Sequence, residues 1–299
     1  MKKFRFCLFI FYFKILLMKA WHTSRRKIDC SKKTLVMAVL NVTPDSFSDG
    51  GKFFSADNAL RQAEKMIAEG ADILDVGGES TRPKSERVSA EEEIRRVVPI
   101  MEAIVRRFDI PVSIDTSKRE VAEKAVGAGA EIINDVSGLR FDEKIAEVAA
   151  KYKTGLVLMH LRGEFETMHE QEPVSGILQE VSNGFRWSLE KAKSFGVDSD
   201  QIALDVGIGF SKTHLQNLEL IAKLDKLVRE FLQIPMLIGV SRKSFLGKIL
   251  DNAPVDQRLK GTLAATAVAV WNGANIIRVH DVKETVESLK VVDSIKKQL

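Results

Sequence analysis

The chain of 299 residues is 45% hydrophobic and 29% charged, which excludes a disordered or fibrous polymer and leaves room for one large α/β domain with a sizeable core. A net charge of +4 suggests nucleic acid or membrane, yet residues 1–33 carry ten Lys/Arg against Asp29 alone, so the remainder, with 35 basic and 40 acidic residues, stands at −5. The basic pI therefore belongs to a short N-terminal extension, and neither a nucleic-acid nor a membrane partner is expected.

Residues 4–18, FRFCLFIFYFKILLM, have the outline of a signal sequence. They are interrupted by Lys14, fall short of the roughly 18 apolar residues of a membrane span, and run into basic residues without a small-residue cleavage site. The expectation is an unstructured extension over 1–33, with Met18 as a candidate start. Cys7 and Cys30 are the only cysteines and both lie in that extension, so the body has no disulfide scaffold, cysteine metal site or thiol nucleophile.

From residue 34 onward, short runs rich in Val, Ile and Leu alternate with longer stretches of helical period. The predicted strands are 35–41, 73–76, 112–114, 131–134, 156–159, 202–205, 236–240 and 276–279. Between them the periodicity predicts helices over 57–69, 90–107, 119–128, 143–151, 174–195, 214–231, 259–273 and 283–296. Runs without polar alternation suit strands buried on both faces of a parallel sheet. Gly70, Gly129, Gly196 and Gly273 stand just past helix ends, where a left-handed residue terminates a helix. Eight strand–helix units without a linker or repeat predict a single-domain (β/α)8 TIM barrel over 34–299, with a doubly wound open sheet as the alternative.

Polar residues gather where these strands end: Asn41, Asp75 with Glu79, Asp115, Asn134, His160, Asp205, Ser241 to Lys243, and Arg278 with His280. In a barrel those ends converge on one mouth, where active sites are built. NVTPDSFSDGG at 41–51 offers Asn41, Asp45 and Asp49 as hard oxygen ligands of the kind Mg2+ takes, although a solvated turn reads the same way. In GGESTRP at 77–83, Thr81 and Arg82 suit an anion or carboxylate and Pro83 stiffens the loop, while helix capping explains the same letters.

Asp115, Asn134 and Asp205 match the donor-rich edge of a 2-amino-4-oxo heterocycle, and equally a general acid/base pair. SRKSFLGK at 241–248 and RVHD at 278–281 put Arg242, Lys243, Ser244, Arg278 and His280 after the last two strands, where barrels frequently hold phosphate. A body at −5 needs such focused cations to hold an anion. His169 and His214 read as solvated positions. There is no HExxH, CxxC, GxSxG or P-loop, which removes the commonest zinc, hydrolase and NTPase readings.

Taken together and in this order, NVTPDSFSDGG, GGESTRP, Asp115-Thr116, Asn134-Asp135-Val136, SRKSFLGK and RVHDVKET resemble dihydropteroate synthase over roughly residues 35–298. The resemblance implies a cytoplasmic, homodimeric barrel enzyme of folate biosynthesis, a transferase joining p-aminobenzoate to 6-hydroxymethyl-7,8-dihydropterin diphosphate with Mg2+. It implies that Asp115, Asn134, Asp205 and Lys243 hold the pterin, and that Asn41 (through the metal), Arg278 and His280 hold the diphosphate. It further implies that Thr81, Arg82, Pro83, Phe210 and Ser244 line the p-aminobenzoate side, with Phe47 and Asp49 in loops that close over the site. Asp115 and Lys243 are the expected catalytic residues.

Two departures from the family's pattern stand out. Val206 replaces proline after Asp205, which is expected to relax the turn that aims Asp205, and Phe165 replaces a proline in the 160–168 loop. Rival readings are a methyltetrahydrofolate–corrinoid methyltransferase, which has no diphosphate to bind, and a silent pterin-binding barrel, which would not need the full polar set.

Overall fold

The computed structural model describes residues 19–42, 52–81 and 85–298, with side chains from 57 onward in the second stretch. Eight parallel strands close into a barrel: β3 (Leu35–Asn41), β4 (Ile73–Gly77), β5 (Val112–Asp115), β6 (Ile132–Asp135), β7 (Gly155–Met159), β8 (Ile202–Asp205), β9 (Met236–Ile238) and β10 (Ile276–Val279). Closure runs through β10, which pairs Ile276 with both Leu35 of β3 and Leu237 of β9. The open-sheet alternative is thereby excluded.

Every strand is buried on both faces, and residue parity sorts its side chains. Val36, Leu74, Ile114, Ile133, Leu204 and Ile277 face out and pack under the helices in the main core. Leu35, Met37, Ile73, Ile132, Val157, Ala203, Leu237 and Ile276 face in and fill the lower barrel with a separate apolar layer. Two residues further along the same inward rows stand Asp75, Asn134, Asp205 and Arg278. Period-2 geometry thus converts a dry floor into a polar mouth within one pleat.

Most helices form where expected, and the differences have local causes. The helix over Ala90–Arg107 begins with Ser89 accepting from Glu92 N at 3.2 Å, carries Glu91–Glu93 in its first turn and ends on Arg106 and Arg107, in keeping with its dipole. The expected 174–195 helix starts only at Ile177, because Gly176 sits left-handed at φ +84. The expected 214–231 helix breaks at Lys223 into His214–Ala222 and Leu224–Glu230. One short helix, Ser244–Ile249, stands where a loop was expected. Gly70 and Gly273 do end helices with φ of +102 and +105.

The extension is not unstructured throughout. Residues 1–18, with Cys7 and Met18, lie outside the described residues, but β1 (Ala20–His22) and β2 (Lys27–Asp29) form an antiparallel hairpin beneath the barrel. Trp21 is fully buried against the inward apolar layer and its Nε1 donates to the Gln201 carbonyl at 2.7 Å. Gly155 admits it, since a Cβ there would lie 3.2 Å from the indole. Thr23 and Arg26 then hold buried Glu131 at 2.8 and 3.0 Å. One buried aromatic outweighs local composition here, so the domain includes residues 19–33. Trp21→Ala should cost about 3–5 kcal/mol in denaturant unfolding. A loss below about 1 kcal/mol would show that the hairpin does not close the floor.

Candidate active site

At the mouth one guanidinium gathers the inward carboxylates. Arg278 Nε donates to Asp75 Oδ2 at 2.6 Å and Nη2 to Asp115 Oδ2 at 2.5 Å. Asn134 Nδ2 donates to the same Asp75 oxygen at 3.0 Å. These three bonds join three adjacent strands, β4, β5 and β6, to β10 across the barrel. Asp75 is fully buried, and its Oδ1 accepts no hydrogen bond among the described residues. Two of the five N–H groups of Arg278 make these bonds among the described residues, which fix the cation in place.

Crowding of like charge in a dry site shapes the protonation equilibria. Burial pushes the Asp115 carboxyl up to about 7; Arg278 opposes this and neighbouring Asp75 adds to it. Burial also raises Asp205, whose Oδ1 accepts from Gly207 N at 2.8 Å. Lys243 is lowered to about 8, chiefly by burial, with Asp205 supporting and Arg278 disfavouring its charge. Its Nζ donates to the Ile208 carbonyl and lies 4.4 Å from the centre of the Phe210 ring, a cation–π contact. Gly209, at φ +82, is required for this approach, since a Cβ there would sit 2.9 Å from Lys243 Cδ.

The remaining expected residues surround this centre. Asn41 ends β3 half-buried, and a Cβ on Gly77 would lie 3.5 Å from its Oδ1 and 3.7 Å from Asp115 Oδ2, so the missing side chain opens the space between them. Ser241 Oγ sits 3.0 Å from His280 Nδ1 and holds the imidazole at the end of β10. The Thr81 carbonyl accepts from His169 Nε2 at 2.9 Å, and the His169 ring stacks on Phe210 at 5.4 Å. Ser244 is exposed at the start of its short helix. Arg82, Pro83, Asp45, Phe47 and Asp49 lie outside the described residues.

The structure corrects several sequence expectations, two of them by strand parity. His160 follows an inward Met159 and so points outward, where a Cβ on Gly184 would lie 2.4 Å from its Cδ2; it packs under a helix and does not reach the mouth. Asp135 turns outward too, and accepts from Ser137 N, Ser137 Oγ and Leu139 N at 2.6–2.8 Å to shape its loop. Arg242 is paired with Asp281, its Nε at 2.9 Å from Oδ2, and is not part of the cationic centre. His169 is a packed member of the site and not a solvated position.

Sequence reasoning assigned no role to Asp75, although its inward parity with Ile73 marks it. It also passed over Lys212, whose Nζ donates to the carbonyls of His160 at 3.1 Å and Phe210 at 2.8 Å and whose pKa burial drives well below the lysine range. Nor did it find the ion triad beneath the GGESTRP loop. There Lys118 Nζ donates to Glu79 at 2.8 Å and to Glu93 at 2.6 Å, while Glu79 also accepts from Val88 N at 2.8 Å.

The two departures behave differently from one another. Val206 is fully buried, Gly207 takes φ +67, and its N–H fixes Asp205, so the turn is pinned and not relaxed. Phe165 is buried with Val136, Met159, Leu161 and Met168 in a small apolar cluster that Phe210 joins.

A closed (β/α)8 barrel whose C-terminal mouth holds carboxylates, an amide and buried cations defines a class, and comparison agrees: the sequence model of the pterin binding enzyme family matches residues 37–280. The dihydropteroate synthase of Synechocystis is 46% identical over 89% of this chain and 92% of its own length, and that of Bacillus subtilis 44% over 92% and 93%. A solved Yersinia pestis dihydropteroate synthase with a sulfonamide drug superposes with a TM-score of 0.86 at 40% identity, covering 93% of this chain and 99% of that one. A Xanthomonas albilineans dihydropteroate synthase with 4-aminobenzoic acid does so at 0.86 and 36%, covering 93% and 98%. The chain belongs to the dihydropteroate synthase family of pterin-binding enzymes, a family of transferases in folate synthesis.

If Asp75 is the hub, Asp75→Asn removes one of the two carboxylates that balance a buried guanidinium. Urea unfolding should show a loss of about 3 kcal/mol. A loss below about 1 kcal/mol would mean that Asp115 alone suffices.

Proposed function

We propose that this chain joins p-aminobenzoate to 6-hydroxymethyl-7,8-dihydropterin diphosphate, releasing diphosphate and 7,8-dihydropteroate. The observation that carries this reading is the Arg278 cluster: one mouth supplies carboxylate and amide acceptors for a pterin edge and fixed cations for a leaving diphosphate. A corrinoid methyltransferase would need no such cations, and a silent barrel has no use for Asp115 raised to about 7 beside a lysine lowered to about 8.

Each residue has a task that its environment suits. Asp205 has Oδ1 occupied by Gly207 N and keeps Oδ2 for the ring N–H and amino group. Asn134, its amide nitrogen committed to Asp75, turns its carbonyl oxygen to the ligand. Arg278, His280 and Lys243 offer N–H donors to the diphosphate and the ring. Thr81, Phe210 and Ser244 border the arylamine; Arg82 and Pro83, assigned the same part by the family's pattern, lie outside the described residues.

Asn41 fits Mg2+ as a single hard-oxygen donor beside the open face of Gly77, and among the described residues no group of three or more His, Cys, Asp or Glu forms a competing metal cage. That sparse donor set is the one Mg2+ accepts when substrate phosphates complete its shell. Bound there, the ion would neutralise charge on the departing oxygens.

The order of bond changes follows from the nucleophile. An arylamine attacks weakly, so the methylene C–O bond breaks first and its electron pair leaves with diphosphate. Asp115 and the dry carboxylates around it stabilise the resulting pterin methylene cation. The amine nitrogen then forms the C–N bond and loses its proton to solvent. No covalent enzyme intermediate is needed, and among the described residues the only free thiol, Cys30, is buried away from the mouth in the barrel floor.

Two further features of the reading concern the surroundings. Val268 and Trp271 on the helix Leu259–Trp271, with Val291 and Ile295 on the helix Val282–Lys296, leave an exposed apolar face that supports a homodimer. The buried free thiol of Cys30 suits a reducing cytoplasm.

The test is turnover of radiolabelled p-aminobenzoate with dihydropterin diphosphate and Mg2+. Labelled dihydropteroate should form, with kcat/KM rising as Asp115 ionises near pH 7 and falling as Lys243 loses its proton near pH 8. Lys243→Ala should lose about 100-fold in kcat/KM while remaining folded. No labelled product, or wild-type turnover in that variant, would contradict the reading.

A further inference from the structure

We propose that His169 is a positioning residue for the arylamine half of the site, setting the Phe210 ring and the loop backbone at Thr81 in register with each other. This rests on the synthase reading above, in which Phe210 and Thr81 border p-aminobenzoate. The contacts of His169 run to Thr81 and Phe210, so its influence passes through the two residues it holds.

The geometry supports a clamp. A carbonyl oxygen only accepts, so the 2.9 Å approach of His169 Nε2 to Thr81 O places a proton on Nε2 and makes the imidazole a donor. The same ring lies over Phe210 with centroids 5.4 Å apart and planes inclined by 29°. Phe210 is also approached by Lys243 Nζ, 4.4 Å from its centroid, and held through its carbonyl by Lys212 Nζ at 2.8 Å. Through Phe210, the His169–Thr81 contact is thus linked to the cationic centre.

The loop carrying His169 is itself braced. Ser211 N donates to the Met168 carbonyl at 2.8 Å, so the residue before His169 is bonded to the residue after Phe210 and the two rings are brought side by side by the backbone. Buried Phe165 anchors the same loop edge-on against Phe141, and the Arg87 guanidinium lies 5.3 Å from the Phe165 centroid and 5.8 Å from that of Phe141. Phe165 thus gives this loop an apolar foot and a contact with Arg87, beside the His169–Thr81 bond.

Steady-state kinetics in both substrates separates positioning from mere packing. His169→Ala should raise KM for p-aminobenzoate about tenfold, with KM for dihydropterin diphosphate and kcat within about twofold of wild type. His169→Phe keeps a ring for Phe210, His169→Gln keeps a donor for Thr81, and each should recover part of the loss. An unchanged p-aminobenzoate KM in His169→Ala, or equal losses in both substrates, would overturn the proposal while leaving an active wild type and the synthase reading intact. Calorimetric binding of p-aminobenzoate with diphosphate and Mg2+ present reads the same pocket without turnover. His169→Ala should bind about tenfold more weakly, and equal affinity would overturn the clamp even if wild type formed no product.

Discussion

The arrangement of the mouth depends on one half-buried guanidinium. Three aspartates from β4, β5 and β8 are carried inward by strand parity, and a dry, acidic ring of that kind would protonate or spread apart without a cation inside it. Arg278 meets Asp75 and Asp115 directly, and Asn134 closes the ring through the same Asp75 oxygen. The pair energies in such a site are offset by desolvation, so the network contributes less to stability than to uniqueness of arrangement. What it secures is geometry: acceptors and a cation held at fixed separations before any ligand arrives.

The floor of the barrel makes that arrangement possible. Trp21 and the inward aliphatic layer fill the lower interior, which keeps water from the underside of the Arg278 cluster. Low dielectric then raises Asp115 and lowers Lys243 towards the same narrow range. The hairpin and the Arg278 cluster lie at opposite ends of the barrel, with the inward apolar layer between them.

The barrel was legible in the sequence because eight apolar runs and the helices between them follow their periods closely, and because the terminating glycines stand where the chain turns left-handed. Candidate site residues were legible as a set of letters at strand ends, and the family resemblance implied roles for them. Direction was the harder part. His160 and Asp135 stand at strand ends as Asp115 does, and the alternation of side chains within each strand decides which of them face inward; Arg242 and Lys243 lie in the turn after β9, where Arg242 takes φ +58 and pairs with Asp281. Counting by twos from the apolar floor residues Ile73, Ile132 and Ile276 would have selected Asp75, Asn134 and Arg278. The hairpin was missed because a single tryptophan in a basic segment carries no periodic signal, and the His169 clamp because its partners, Thr81 and Phe210, are far from it in the chain.

The central claim is that Arg278 sets the ionisation of the buried carboxylates. Carboxyl carbon NMR of the protein labelled at aspartate, titrated in the wild type and in Arg278→Gln, tests it directly. Asp115 should titrate near 7 in the wild type and move higher when the opposing cation is gone, since burial and Asp75 then act on it without compensation. An Asp115 that titrates in the ordinary carboxylate range, or whose midpoint is the same in both proteins, would contradict the account.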